Sequence, residues 1–414
     1  MKKIAVVGGG AAGLMAAGEA AAAGADVTLF EQNAKLAKKV AITGKGRCNV
    51  TNLCDVNEFL ANVATNPKFL YSALNYFTPR DCMDFFGNLG VELKVERGKR
   101  VFPASDNAFD IVDALKKFVR VNKVNVKFEK VEKLIVDNNK ITGLAAGGQQ
   151  YGFDAVIICT GGMSYPLTGS TGDGYRFARA AGHNIIALKP SLVPVEIKEK
   201  FCAGLMGLSL RNVKLCVYED DGKIFEEQGE MIFTHFGISG PLTLSASSHI
   251  RGENKSYRLL LDLKPALSEE KLDKRILADF EKYKNKMFKN SLDDLLPKKL
   301  IPVFTEILGE YTDPDKKVNE IKKSERARIV GLFKSLELTF SKFRPLDEAI
   351  VTCGGVDTNE IMSNKMESKL IRGLYFAGEV IDVDAYTGGF NLQIAFSTGK
   401  LAGKTAAQAS NPQN

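Results

Sequence analysis

Lys3-Ile4-Ala5-Val6-Val7-Gly8-Gly9-Gly10-Ala11-Ala12-Gly13, continued by an alanine-rich run to Ala23 and by Asp26-Val27-Thr28-Leu29-Phe30-Glu31, decides the fold. The apolar, β-branched run Lys3 to Val7 reads as a buried strand. Ala11 to Ala23 is a strong helix former, Gly24 can stop it, and Asp26 to Phe30 resumes a strand. Strand, helix and strand in so short a span force a parallel sheet. Gly8, Gly10 and Gly13 fall between the first strand and the helix in the order GxGxxG. There Gly8 makes the tight turn and Gly10 lets the backbone approach a pyrophosphate. Gly13 lets helix and strand pack closely, and Ala11 and Ala12 open a helix whose N-terminus faces the anion. Glu31, at the end of the second strand, can accept hydrogen bonds from a ribose and would repel a 2′-phosphate. The site therefore suits FAD or NAD and not NADP. A tight turn with no ligand is the plainer alternative.

A distant second element separates FAD from NAD. Gly373-Leu374-Tyr375-Phe376-Ala377-Gly378-Glu379 reads as a strand whose end presents a carboxylate, with Asp382 close behind. Gly378-Glu379 could meet a ribityl chain, which NAD lacks. The helix opened by Tyr386-Thr387-Gly388-Gly389-Phe390-Asn391-Leu392-Gln393 could turn free N–H groups, at Gly389, Asn391 and Leu392, toward the N1–C2=O edge of a flavin. A strand-turn-helix crossover that merely closes the domain is the alternative. The two elements together point to FAD.

Between them, Lys35 to Asn52 reads as a polar loop, and helical patterns run from about Asn57 to Leu89 and from Asp106 to Val121. Strands are expected over Val124 to Val136, Lys140 to Ala145 and Asp154 to Cys159. After about Pro190 the texture changes to strands, with a hairpin at Asp220-Asp221-Gly222. From Ser268, a capping residue, it becomes helical to roughly Phe340, and the small, polar tail after Gly403 is expected to fray. The expected class is α/β. A discontinuous, Rossmann-like FAD-binding domain takes residues 1–190 and 345–414. A β-rich insert covers 191–266 and is completed by about 335–350, and a small helical insert covers 267–334.

Composition narrows the function. The 414 residues allow two or three domains. Seven dispersed cysteines and three scattered histidines give neither a disulfide framework nor metal-ligand spacing, so no metal is expected. The N-terminal apolar run is broken by three glycines, Glu19 and Asp26, and no stretch is apolar enough to span a membrane. A cytoplasmic protein is expected. The net charge of +7 is concentrated, because Lys264 to Arg344 holds 19 Lys and Arg against 14 Asp and Glu. A solvated helix surface accounts for this; a patch for structured RNA, built on Lys298, Lys299, Lys316, Lys317, Lys322, Lys323, Arg326 and Arg328, is the sharper reading.

Six blocks carry a resemblance: VVGGGAAGLMAA (6–17), ITGKGRCNVTN (42–52), GGMSYPLTGSTGDGY (161–175), FTHFGISGP (233–241), VTCGGV (351–356) and GLYFAGEVIDVDAYTGGFNLQIA (373–395). In this order they resemble two-dinucleotide-binding-domain flavoproteins, and most closely the BaiN/RdsA-like NAD(P)/FAD-dependent oxidoreductases, over nearly the whole chain. The resemblance implies a flavin domain, a β-barrel-like insert and a small helical domain. It also implies that Arg47, Cys48 and Asn49 lie near the isoalloxazine, that Val131 meets adenine through its backbone, and that Thr160 and Gly161 pass near the cofactor. Lys45 and Ala385 depart from it, standing where many relatives have glycine. Read from the residues alone, Gly44-Lys45-Gly46-Arg47 is a flexible cationic loop.

Members of this family are linked to saturating conjugated bonds in oxidised bile acids and to reducing uridine in ribosomal RNA. The expected activity is accordingly reduction of an activated C=C bond in a small-molecule enone or in RNA. NAD(P)H would visit transiently, because no second GxGxxG follows a strand. Cys48 and His235 are the candidate proton donors, each with a structural role as its alternative. A flavin dehydrogenase or oxidase of a small molecule, and an RNA-binding protein with structural FAD, are the other readings.

Overall fold

The computed structural model describes residues 1–252 and 255–409. The chain divides into two compact units, Met1–Ser191 with Pro345–Asn414, and Leu192–Arg344. The first unit opens with β1 (Lys3–Val7), α1 (Ala11–Ala22), β2 (Asp26–Phe30) and the short α2 (Lys38–Ile42). A small antiparallel sheet follows from β3 (Thr51–Asn52), β4 (Leu93–Glu96) and β5 (Arg100–Pro103). Then come α3 (Ala108–Val121), β6 (Asn125–Lys127) and an antiparallel trio, β7 (Val131–Asp137), β8 (Lys140–Ala146) and β9 (Gln149–Gly152). β10 (Ala155–Ile158), α4 (Asp173–Ala180) and β11 (Ile185–Ser191) complete this stretch.

The second unit holds a closed six-stranded barrel of β12 (Val195–Ile197), β13 (Ser209–Glu219), β14 (Gly222–Phe233), β15 (Gly237–Ser239), β16 (Tyr257–Asp262) and β17 (Leu336–Phe343). Between β16 and β17 lie α5 (Glu269–Lys282), α6 (Ile301–Leu308) and α7 (Lys323–Lys334). Leu272, Ile276, Phe304 and Phe333 from these helices share one buried cluster with Val217, Leu259 and Leu261 of the barrel. The first unit resumes with β18 (Val351–Val356), β19 (Ile361–Met362), β20 (Glu367–Ser368), β21 (Leu374–Phe376) and α8 (Phe390–Gln408).

The sheet that matters runs β19-β20-β21-β10-β1-β2-β6. Its strands β21, β10, β1, β2 and β6 are mutually parallel. Ile4, Ala5 and Val6 have no exposed surface, as a central strand covered on both faces requires; hence its unbroken apolar run. Parallel strands deliver their carboxyl ends to one edge, where ligands of open α/β sheets bind. Gly8, Glu31, Thr160 and Gly378 each follow such an end, so residues hundreds of positions apart meet there. Helix α8 packs on α1 at backbone distance. A Cβ at Gly399 would stand 2.4 Å from Ala12 O, and one at Gly403 2.3 Å from Ala16 O.

Several sequence expectations are corrected. The helical texture read to roughly Phe340 stops at Lys334, the end of the expected helical insert, and Leu336–Phe343 is the strand, within the expected completion at 335–350, that closes the barrel against β12 and β16. The stretch from Asn57 to Leu89 contains three helices, Val56–Ala61, Tyr71–Tyr76 and Pro79–Asn88, broken by Pro67 and Pro79. The loop from Lys35 contains α2. Helix α8 continues past Gly403 to Gln408, and the part of the tail at 410–414 lies outside the described residues. No helix among the described residues is long and apolar enough to cross a membrane.

Candidate flavin site

The three glycines of the first turn differ in what surrounds them. Gly8 has φ +104°, and a Cβ there would lie 2.6 Å from Cys159 O. A Cβ at Gly13 would lie 1.8 Å from Gly8 O. These two glycines fold the turn and press α1 onto the sheet. Gly10 is different: its φ of −86° and ψ of −165° suit any residue, and a Cβ there would meet nothing within 4 Å. Nothing in the protein's own packing requires glycine here, and Gly10 borders open space at the start of α1. Helix α1 has no side-chain cap and no acidic residue in its first turn, which leaves its N-terminal field for an anion.

Glu31 is 7% exposed. Its Oε2 accepts from Gly9 N (2.7 Å), and its Oε1 accepts from Asn33 N (2.7 Å) and Asn33 Nδ2 (2.6 Å). A carboxylate offers about four acceptor positions, so Oε2 keeps room for a ribose hydroxyl. Asn33, missed in the sequence, fixes this orientation. Lys127 O accepts Glu31 N at 2.9 Å, so the segment leading to Val131 leaves the sheet beside Glu31. Val131 itself is buried at the start of β7, opposite Ala146. Thr160 Oγ1 is buried with no hydrogen-bond partner and lies against α4, where a Cβ at Gly174 would meet it at 2.1 Å. Any role of Thr160 at a cofactor therefore rests on its backbone. Gly161 follows with φ +73°.

Glu379 is bound more heavily than a strand-end carboxylate suggests. Lys39 Nζ from α2 reaches its Oε2 at 2.7 Å, while Ser164 Oγ (2.8 Å) and Thr352 N (2.9 Å) donate to its Oε1. Burial pushes the carboxyl up, but the Lys39 ammonium and the other donors outweigh this and hold it below its ordinary range. Glu379 thus stays charged, with one acceptor position of Oε2 open to a hydroxyl. Lys39, Ser164 and Thr352 were not singled out in the sequence, since no motif links positions so far apart. Asp382 accepts from Asn66 Nδ2 at 2.9 Å, and burial, aided by Asp384, raises its carboxyl despite that bond. Gly378, at φ +78°, brings the strand end against Ala12 of α1.

The loop before β3 is not a free cationic arm. Arg47 pairs with Glu96 and, through Nε at 2.8 Å, with Asp106, and its guanidinium lies 4.2 Å from the centre of the Phe102 ring. These acids, on and after the β4–β5 hairpin, neutralise and fix it. The backbone holds the rest of the loop rigidly: Gly44, Lys45, Gly46 and Cys48 all have φ between +57° and +82°. Lys45 is held in a left-handed conformation, which glycine would adopt without strain. Ala385, the other departure, is not among the left-handed residues.

Cys48 is fully buried, and burial pushes its thiol up to about 12 against a hydrogen bond with Thr43. It is a wall residue, inert as a thiol. Asn49 ties the loop to α8: with its amide in the satisfying orientation, its oxygen faces Gly389 N at 3.0 Å. Gly389, at φ +98°, starts the 19-residue α8 with no side-chain cap of its own. The side chain of Asn391 is turned back to Ala385 N (3.0 Å) and O (2.7 Å), so it shapes the turn. Leu392 is half-buried in the first turn of α8. His235 belongs to the second unit; it is exposed in the loop between β14 and β15, with its ring edge-on to Phe236.

These features fit FAD. Two uncapped helix N-termini suit a pyrophosphate and a flavin carbonyl, two anchored carboxylates keep acceptor room for hydroxyls, and Gly10 borders empty space. The class that fold and site define is the FAD-dependent oxidoreductase built on a Rossmann domain with a barrel insert. The HI0933-like protein Rossmann domain matches residues 2–405, and the chain belongs to the HI0933-like family. It is 32% identical to the 3-dehydro-bile acid delta(4,6)-reductase of Clostridium scindens, over 99% of this chain and 100% of that one. It is also 32% identical to the ribosomal RNA dihydrouridine synthase of Escherichia coli, over 95% of each. In fold it is similar to the open conformation of a flavocytochrome c3 fumarate reductase, with a TM-score of 0.54 and 16% identity over 98% of this chain and 78% of that one.

Proposed function

We propose that this protein binds FAD non-covalently and uses NAD(P)H to reduce a C=C bond activated by conjugation to a carbonyl. The observation that supports this most is Gly10, an extended, sterically unconstrained glycine that borders open space at the uncapped start of α1. When bound, FAD supplies hydride exchange between a nicotinamide donor and the substrate. Gly10, Ala11 and Ala12 hold the pyrophosphate on α1. Glu31 takes the adenosine ribose, and the backbone near Val131 takes the adenine. Glu379, kept ionised by Lys39, takes the ribityl chain. The N-terminus of α8, from Gly389 to Leu392, would favour negative charge on the flavin pyrimidine. Cys48 and Asn49 would wall the ring, with Arg47 stacked on Phe102 in the same loop region. The proton to the substrate carbon comes from a group other than Cys48.

The substrate is a small-molecule enone or a uridine in structured RNA, since the two named relatives divide between these. The helical segment of the second unit gives RNA less than its composition promises. Lys316 is paired with Glu325, Arg326 with Asp273, Lys282 with Asp294 and Lys289 with Asp315. Lys298, Lys299, Lys317, Lys322, Lys323 and Arg328 remain exposed, with no ion pair among the described residues. The test is anaerobic reduction of the bound flavin, followed by mixing with a steroid dienone or with uridine-containing ribosomal RNA fragments. Reoxidation by one of them, with the saturated product formed, is expected. A reduced flavin that neither reoxidises, while a saturated hydroxy or amino compound reduces the oxidised form, would mark a dehydrogenase instead.

A further inference from the structure

We propose that the turn between β4 and β5 is a docking site for the phosphate groups of the dihydronicotinamide donor, gripped by Arg97 and Arg100. The proposal rests on the flavin reading above. A chain with one dinucleotide fingerprint has no second Rossmann site for the donor, so a visitor needs another anion grip close to the flavin ring. The turn Arg97-Gly98-Lys99-Arg100 is placed for this. Arg100 is paired in register with Asn52 of β3. The Asn52 side-chain amide donates both to Gly98 O (3.0 Å) and to Gly388 O (3.2 Å). Gly388 directly precedes Gly389, the first residue of the helix start assigned to the flavin. One side chain therefore ties the basic turn to the edge of the ring site.

The charges on this turn are not all spoken for. All four of its residues are exposed. Lys99 is committed to Glu58 at 2.5 Å. Arg100 spends its Nε on Arg97 O (3.1 Å), and its Nη2 lies 4.0 Å from Glu96, which Arg47 already holds. The Arg97 guanidinium makes no hydrogen bond or ion pair among the described residues. Gly98 and Lys99 are both left-handed, at φ +74° and +59°, so the turn is conformationally set. Guanidinium groups match phosphate oxygens in bidentate fashion. Glu58 pairs with Lys99 and Glu96 lies beside Arg100, while Glu92 and Asp106 flank the turn along the chain. Such a border admits a compact phosphate and repels a long polyanion, which favours the nucleotide donor over RNA.

The experiment follows flavin reduction in the FAD-loaded protein by NADH, by NADPH and by N-benzyl dihydronicotinamide, a donor with no phosphate. Arg97→Gln, which breaks no contact, is expected to raise the nucleotide concentration for half-maximal reduction about tenfold, and Arg97→Gln/Arg100→Gln further. The rate relative to the phosphate-free donor falls in step, and Arg97→Lys recovers part of it. Unchanged half-saturation for both nucleotides overturns the proposal, as does an equal loss with the phosphate-free donor. Variants that lose RNA affinity while their nucleotide half-saturation stays put also overturn it, and make the turn an RNA contact. A wild-type protein that holds no flavin overturns the underlying reading and this one with it; a bound flavin reduced alike in all variants overturns this one alone.

Discussion

Replacing Gly10 and Gly13 in turn separates ligand room from folding. Gly10 sits in extended backbone with nothing near its virtual Cβ. Gly10→Val therefore leaves the apoprotein's stability within about 1 kcal/mol, the scale of the unfolded-state entropy change for a compatible glycine replacement. The same branched side chain would occupy the space at the start of α1 where a pyrophosphate lies. Hydrogen bonds from backbone to a charged group are worth about 1.5–3 kcal/mol each, so losing two costs ~3–6 kcal/mol. At 1.4 kcal/mol per decade that is a rise in the FAD Kd of about 10²–10⁴-fold. Gly13→Ala does the opposite. Its Cβ would lie 1.8 Å from Gly8 O, so α1 must leave β1 and the apoprotein itself loses stability, by more than the ~1 kcal/mol allowed to Gly10→Val. Flavin fluorescence titration reads the first effect and denaturant unfolding of the apoproteins reads the second. If Gly10→Val binds FAD with wild-type affinity, or unfolds as easily as Gly13→Ala, the assignment of that space to the cofactor is wrong.

Three further outcomes are expected. Cys48→Ala keeps FAD and reduces substrate at close to the wild-type rate, because the thiol is buried and pushed up to about 12; a loss of about 10²-fold or more in substrate reduction, with flavin reduction intact, would instead name it as the acid. Lys45→Gly stabilises the protein by a few tenths to about 1 kcal/mol in denaturant unfolding, since it relieves a left-handed lysine at a cost of some unfolded-state entropy; destabilisation contradicts the strain. His183 is buried between Glu360 (3.0 Å) and Ser368 (2.7 Å), and burial lowers its pKa despite Glu360. The unfolded chain then binds this proton more readily than the native one, so the contribution of His183 is complete above about pH 6.5 and is lost as pH falls below it. The stability difference between wild type and His183→Gln should shrink from pH 8 to pH 5, and a difference that holds or grows contradicts the sign.

The ligand-facing edge was legible because the β-α-β signal and the glycine fingerprint are local. The span from Val7 to Glu31 fixes parallel strands, and parallel strands fix where their ends go. The partners of the charged groups were not legible. Arg47 reads as a free cation until the β4–β5 hairpin brings Glu96 and Asp106 to it, and Glu379 reads as an open carboxylate until α2 brings Lys39. These pairings belong to tertiary packing across tens or hundreds of residues and leave no periodicity. Strand β17 was legible as the completion of the β-rich insert, though its start was blurred by the helical texture before it: Leu336, Leu338 and Phe340 alternate with Glu337, Thr339 and Ser341 in a two-residue period.

The measurement that bears most directly on the whole account is the cofactor itself. The protein is incubated with FAD, desalted and denatured, and the released chromophore is identified and quantified. A yellow protein that releases FAD intact and equimolar with the chain is expected. A colourless protein that releases none after reconstitution, while unfolding cooperatively as a native fold should, would contradict it.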